Sequence, residues 1–245
     1  METELGCELF EHRRNKILLN DEGKLFFEHV SQALALLDTA KTSILDQAAI
    51  QGELKILCLC SRSVISRAIE RFSQIHPQIN FVLHHDAYAQ QDFDIHISDI
   101  SPFPYGEKLL LADEEICIAV NKNHPLAQRE KLQIEDLEQE RFVSMTAGNS
   151  MHTITMNTCA EAGFVPIIAI QTNDPFYVRK YVELGMGIAF VPTFSWKGIF
   201  PENVRLKSIG NIRRKSYAFL PKNKHIKKSA ELFLQILKAE IADSQ

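Results

Sequence analysis

The order of apolar and polar positions changes period twice along the chain. Leu9, Phe10, Ile17 and Leu19 flank the polar run Arg13-Arg14-Asn15-Lys16, which predicts two short half-buried strands around a basic turn. Gly6, just before them, sits where a helix would end, since glycine adopts left-handed backbone cheaply. Over residues 24–50, Phe26, Val30, Ala33, Leu34, Leu37, Ala40, Ile44, Leu45 and Ala48 recur at three- and four-residue steps. That spacing predicts one long amphipathic helix, capped by Asn20 or Asp21. A single apolar stripe of that length needs a partner surface, and pairing with a second helix buries it.

Beyond Gln51-Gly52 the period becomes mixed. Leu54, Ile56 and Cys58 alternate as a strand, and residues 64–75 read as a helix ending before His76-Pro77. Residues 79–83 and 93–97 read as further strands, and strand–helix–strand at this spacing implies a parallel sheet. Ser101-Pro102-Phe103-Pro104 reads as a crossing or hinge. A second α/β unit then begins near Lys108, with strands at 116–120, 142–145, 167–171 and 188–191 and helices at 151–162 and 176–183. A last strand at 217–220 and a terminal helix at 227–241 close the chain.

Composition narrows the function. At 245 residues the chain is long enough for two cores. A net charge of −4 gives no global field for nucleic acid, so DNA contact would need a local patch. Residues 1–50 carry five basic and nine acidic side chains. The acidic start lacks an apolar run and so is no signal peptide, and no apolar stretch approaches a bilayer span. Five cysteines without a CxxC leave an odd one over, which fits free thiols in a reducing cytoplasm. No GxSxG, HExxH, P-loop or paired-carboxylate pattern occurs, so no enzyme and no cofactor is expected.

Several weak motifs then combine in order. Leu5-Gly6, Leu9-Phe10-Glu11, Arg13, Leu18, Asn20 and Gly23 resemble the end of the DNA-binding module of LysR-type transcriptional regulators. Gly52-x-Leu54-x-Ile56, His124-Pro125-Leu126-Ala127 and Val182 with Gly185-x-Gly187-Ile188-Ala189-x-x-Pro192 are similar to signatures of that family's effector domain. The resemblance implies a cytoplasmic regulator that binds DNA as a homodimer or homotetramer and takes a small-molecule effector. It implies an α/β fold of two Rossmann-like subdomains, type 2 periplasmic-binding-protein-like, behind a winged helix-turn-helix and a long linker helix. The boundaries expected are 1–23 for a wing remnant, 24–51 for the linker and dimer helix, and 52–245 for the effector domain. Within the last, subdomain I takes about 52–105 plus 221–245 and subdomain II about 106–220. Two departures are expected: the reading helices would lie ahead of Leu5, and subdomain I lacks the usual helix between residues 81 and 95. The alternative is a ligand-sensing or interaction protein, derived from such a regulator, that does not engage DNA.

Candidate residues follow from these placements. Arg13, Arg14 and Lys16 would neutralise phosphates, although a solvated turn is equally basic. Ser61, Arg62 and Ser63 open a helix after a strand, where free amides and the helix dipole favour an anion. Serine capping alone also accounts for that turn, whereas the resemblance implies that effectors sit there. Thr146, Gly148, Asn149 and Ser150 repeat the arrangement in the second unit, and Thr172 and Asn173 repeat it again. Ser98 and Asp99 would line the floor of the same crevice. His84, His85 and His96 with Asp86 or Asp92 match no metal-ligand spacing and read as surface or edge residues, so no metal is expected. Cys58 and Cys60 read as small buried hydrophobes, and Arg213-Arg214-Lys215, Lys222, Lys224, Lys227 and Lys228 as basic side chains facing water.

Overall fold

The computed structural model describes residues 1–13, 16–45, 50–85, 93–100, 105–221 and 226–243. The expectations for Arg14, Asp86, Asp92, residues 101–104, Lys222 and Lys224 fall outside them.

The first elements are local. Helix α1 (Glu2–Leu5) ends at Gly6, whose φ of 71° is left-handed. Strands β1 (Phe10–Arg13) and β2 (Lys16–Leu19) pair antiparallel with Phe10 opposite Leu19. Helix α2 (Asp21–Leu45) follows at once. Asn20 is its cap: Oδ1 accepts from the Gly23 amide at 2.7 Å, and Nδ2 donates to the Glu8 carbonyl at 2.7 Å. Gly23 is needed because a Cβ there would lie 2.0 Å from the Leu9 carbonyl oxygen. The hairpin and α2 thus meet backbone to backbone.

The remainder builds two hydrophobic cores. Strand β3 (Gly52–Cys58) pairs in parallel with β4 (Ile79–His84) and β5 (Ile95–Ser98), and α3 (Arg62–Ile75) makes the crossover between β3 and β4. Strand β6 (Tyr105–Asn121) leads through the short α4 (Pro125–Gln128) and a 3-10 turn (Ile134–Leu137) to β7 (Arg141–Met145) and α5 (Ser150–Glu161). Then come β8 (Ile167–Thr172), α6 (Pro175–Glu183), β9 (Ala189–Pro192), β10 (Val204–Lys207), β11 (Arg213–Pro221) and α7 (Lys228–Ala242). In the first lobe α3 and α7 bury Phe72 and Phe233, rings 5.7 Å apart, against Leu54, Ile56, Ile95 and Ile97. In the second, α5 and α6 close over Ile116, Ile118, Phe142 and Phe190. Each such side chain contributes roughly 1.5–3 kcal/mol over its exposed state.

The architecture is α/β, but the lobes share strands. The hydrogen-bonded order β10-β6-β11-β5-β3-β4 is continuous, and β9 also pairs with β6. The early part of β6 and all of β11 pair with each other, and β11 also pairs with β5 of the first lobe. The late part of β6 pairs with β9 and β10 of the second. The expected strand at 116–120 is therefore the end of a 17-residue strand. Its start is hidden by Glu107, Lys108, Asp113, Glu114 and Glu115, whose charges break the apolar alternation. Strand β11 likewise begins at Arg213 rather than 217, and β10 was not expected at all.

The Gly185-x-Gly187 motif has a packing cause. Gly185 ends α6 at φ 72°, and a Cβ on Gly187 would lie 2.6 Å from the Arg141 carbonyl oxygen, which accepts from the Ile188 amide at 2.8 Å. Among the described residues no helix is long and apolar enough to cross a membrane.

Candidate functional site

Three strand-to-helix mouths converge where the lobes meet. From the first lobe comes the β3–α3 turn. Ser61 there has φ 56° and ψ 31°, the only described non-glycine residue with left-handed backbone. Such a conformation costs on the order of 1–2 kcal/mol and persists only when its surroundings fix it. They do: Ser61 does not cap α3 with its side chain but turns inward, its Oγ 3.2 Å from Ser195 Oγ and donating to Ser216 Oγ at 3.3 Å. Ser63 Oγ donates to the Ser195 carbonyl at 2.6 Å. From the second lobe, Asn149 caps α5 by accepting from the Met151 amide at 2.9 Å, after Gly148 at φ 89°. Asp174 caps α6 by accepting from the Phe176 amide at 2.8 Å. Pro175 follows at the first helical position, where its missing N–H is harmless.

Beneath these mouths lies a buried ionic cluster. Arg214 on β11 and Glu114 on β6 are opposite in register, and their side chains are 7% and 1% exposed. Arg214 donates to Glu114 Oε1 at 2.6 Å, to Asp99 Oδ2 at 3.3 Å and to Ser195 Oγ at 3.1 Å. Glu114 also accepts from the Ser195 amide and hydroxyl, at 2.7 and 2.6 Å. Asp99, at the end of β5, accepts from Ser150 at the start of α5. One carboxylate of the first lobe therefore touches the second lobe's helix. Burial works against the Arg214 cation, yet Glu114 and Asp99 outweigh it and raise its pKa above the ordinary value.

Two adjoining chambers open around this cluster. The larger, about 490 Å³, is lined by Arg62, His85, His96, Ser98, Asp99, Thr146, Gly148, Asn149, Ser150 and Asn173 among others. The smaller, about 230 Å³, is lined by Ser61, Arg62, Ser63, Asp174, Phe176, Arg179, Ser195 and Trp196 among others. Leu59, Arg62, Met145, Asn149 and Pro175 border both. Of the effector-binding candidates, only Thr172 lies outside both linings. Its carbonyl accepts from the Thr146 amide at 3.0 Å and its Oγ1 from the Asp174 amide at 3.2 Å, so it braces the two loops. Ser98 Oγ accepts from the Ile100 amide at 3.1 Å. Arg13 and Lys16 end the hairpin strands opposite each other, and their side chains are outside the described residues.

Three readings of the residues are corrected, the first being Lys227, which is half-buried and donates to the buried Asp94 at 2.8 Å rather than facing water. Arg214 does not face water: it points to the same side of β11 as the buried Ser216, Ala218 and Leu220, an alternation visible in the sequence. His96 is no surface or edge residue: it is 8% exposed, 5.9 Å from the Phe219 ring, and burial lowers its pKa below 6.5. Four further participants, Glu114, Arg179, Ser195 and Trp196, belong to no motif of the sequence. Arg179 was nonetheless legible, four residues after Pro175 and three before Val182 on α6, hence on the packed side.

The described cysteines are free. Burial pushes the Cys58 thiol up to about 12 and raises Cys60 further, so neither is a thiolate nucleophile. No cluster of metal-ligating side chains occurs among the described residues. Burial also lowers the Arg179 pKa; Asp174 opposes that and Arg62 adds to it.

Comparison with known proteins agrees with this geometry. Residues 47–242 match the LysR substrate binding domain family. The transcriptional dual regulator GltC of Bacillus subtilis (strain 168) is 26% identical over 251 aligned positions, covering 97% of this chain and 84% of that protein. The regulatory domain of Synechocystis PCC6803 CcmR, solved in complex with 2-PG, superposes with a TM-score of 0.69 at 19% identity, over 77% of this chain and 97% of that one. The Corynebacterium glutamicum OxyR C206 mutant superposes with a TM-score of 0.67 at 17% identity, over 99% of this chain and 81% of that one. The fold is thus the two-lobed, type 2 periplasmic-binding-protein-like arrangement of LysR effector domains.

Proposed function

Because the chain belongs to the LysR family of transcriptional regulators, we propose that its lobes sense a small, anionic metabolite in the larger chamber and transmit its binding to DNA held by a dimer. The carrying observation is a crevice of about 490 Å³ into which Arg62 of one lobe and Thr146, Ser150 and Asn173 of the other contribute. Such a volume falls within the range of ordinary ligand sites. Arg62 supplies charge and a planar fork for an acidic group, while the hydroxyls and amides set orientation. A ligand touching both lobes favours the closed arrangement by its differential affinity for it. The α2 helices form the seam of the dimer. In this reading the protein is a cytoplasmic binding protein and carries out no reaction.

The test is a thermal-shift screen of small carboxylates and phosphorylated acids, followed by calorimetry on the hits. Each hydrogen bond lost is worth about 1 kcal/mol, so Thr146→Ala with Asn173→Ala weakens binding by roughly tenfold or more. Hits that bind the double variant as tightly as the parent place the site elsewhere and sink the proposal.

The excess of acidic residues over residues 1–50 favours a second reading, a ligand sensor that makes no DNA contact of its own. A salt titration of binding to random duplex separates the two: each phosphate contacted by Arg13, Arg14 or Lys16 adds about −0.9 to the logarithmic slope. A flat response supports the second reading.

A further inference from the structure

The mouth of α5 already holds an acid that belongs to the protein. Gly148, Asn149 and Ser150 supply a turn, a capping side chain and a hydroxyl at the positive end of that helix, which favours a negative charge. The charge that stands there is Asp99 of the first lobe, whose carboxylate accepts from the Ser150 hydroxyl. The Asp99 side chain is 8% exposed, so this is an interior contact and not a surface pair. A hydrogen bond to an ionised carboxylate is roughly twice as strong as a neutral one.

The two ends of this bond are anchored differently. Asp99 follows β5, and its Oδ2 also accepts from Arg214 at 3.3 Å; Arg214 lies on β11, a strand that the lobes share. Ser150 opens α5, which carries Met151, Thr155 and Cys159 into the second lobe. Ser61 and Ser63 of the first lobe reach Ser195, which is tied through Glu114 to the shared strand β6. Those contacts clasp the hinge, whereas Asp99 reaches a helix beyond it. Parted from Ser150, Asp99 still has the Arg214 cation, so release does not strand a buried charge. The contact is therefore strong enough to hold and cheap enough to break.

We infer that the bond from Ser150 to Asp99 is a latch: the first lobe's own carboxylate occupies the α5 mouth and draws the lobes together in the absence of effector. An effector that bonds to Ser150 must displace Asp99, which falls back on Arg214. The inference rests on the reading of the crevice as the effector site and adds its regulation. Binding and unlatching are one exchange, so the apparent affinity is lowered by the strength of the latch. The effector then holds the lobes by its own contacts and at its own spacing.

The native cysteines report the latch without any ligand. Cys60 is buried in the lining of the smaller chamber, and burial raises its pKa, so alkylation by iodoacetamide proceeds through opened lobes. Cys159 is buried in the second core and reports unfolding instead. Both are followed on the full chain by mass spectrometry. Ser150→Ala leaves the Asn149 cap and the pairing of Asp99 with Arg214 in place. It speeds labelling of Cys60 about tenfold or more and leaves Cys159 at the parent rate. Asp99→Asn also speeds Cys60, and the two substitutions together give no more than the larger single effect, because both remove one bond. Ser150→Thr keeps the hydroxyl and labels as the parent does. Parent-rate labelling of Cys60 in Ser150→Ala, equal acceleration of Cys159, or effects that multiply in the double variant overturn the latch. The calorimetry on Thr146→Ala with Asn173→Ala fails or succeeds independently, since no effector enters the labelling.

Discussion

Arg214 is a charge that the sequence displays openly and the fold conceals. Among Arg213, Arg214 and Lys215 the middle residue alone turns inward, because a strand alternates faces and its neighbours Ser216 and Ala218 are buried. What was not legible is its partner: Glu114 is 100 residues away, and only the register of β6 against β11 brings the two together. Removing one member of a buried pair leaves the other uncompensated. Arg214→Ala is therefore expected to lower unfolding free energy by about 3–5 kcal/mol in urea titration, and Arg214→Met combined with Glu114→Gln by clearly less. His96 makes a second residue-scale case. Its folded pKa lies below the unfolded 6.5 because burial disfavours the cation. Between those values the unfolded chain binds more protons, so stability is full above about pH 6.5 and falls as pH drops through that window. His96→Gln is expected to flatten this part of the melting-temperature profile between about pH 5 and 7 relative to the parent; parallel profiles would show that His96 is not responsible.

At the scale of elements, the helices were easier to read than the strands. Asn20, Asn149 and Asp174 announce α2, α5 and α6 by cap chemistry that needs nothing distant. Strand β6 needs its whole surroundings, since charged residues occupy much of its first half and the neighbours that pair with it come from later in the chain. The apolar stripe of α2 is also shifted from its expected face at the start. Phe27, Val30, Leu34 and Leu37 are exposed, at steps of three, four and three, whereas Phe26 is half-buried. That is a heptad seam, and its natural cover is a second α2. Leu34→Asp places a charge in the seam and is expected to convert dimer to monomer at micromolar concentration in sedimentation velocity. An unchanged sedimentation coefficient would overturn α2 as the seam.

For the whole molecule, the succession of strands and helices was enough to expect two α/β units, and the family resemblance implied the crevice between them. The division of that crevice into two chambers was not legible, because it depends on Leu59, Arg62, Met145, Asn149 and Pro175, drawn from both lobes, forming a shared border. Nor did local sequence foretell that Ser61 would turn away from its helix to meet Ser195 and Ser216. Strands β6 and β11 thread both halves of the fold. A ribbon of two strands joined along its ladder resists stretching and shear but yields to torsion, the deformation a sheet already contains. Any change in how the halves stand to one another must therefore be carried by those two shared strands, and twist is the deformation a sheet accepts most readily.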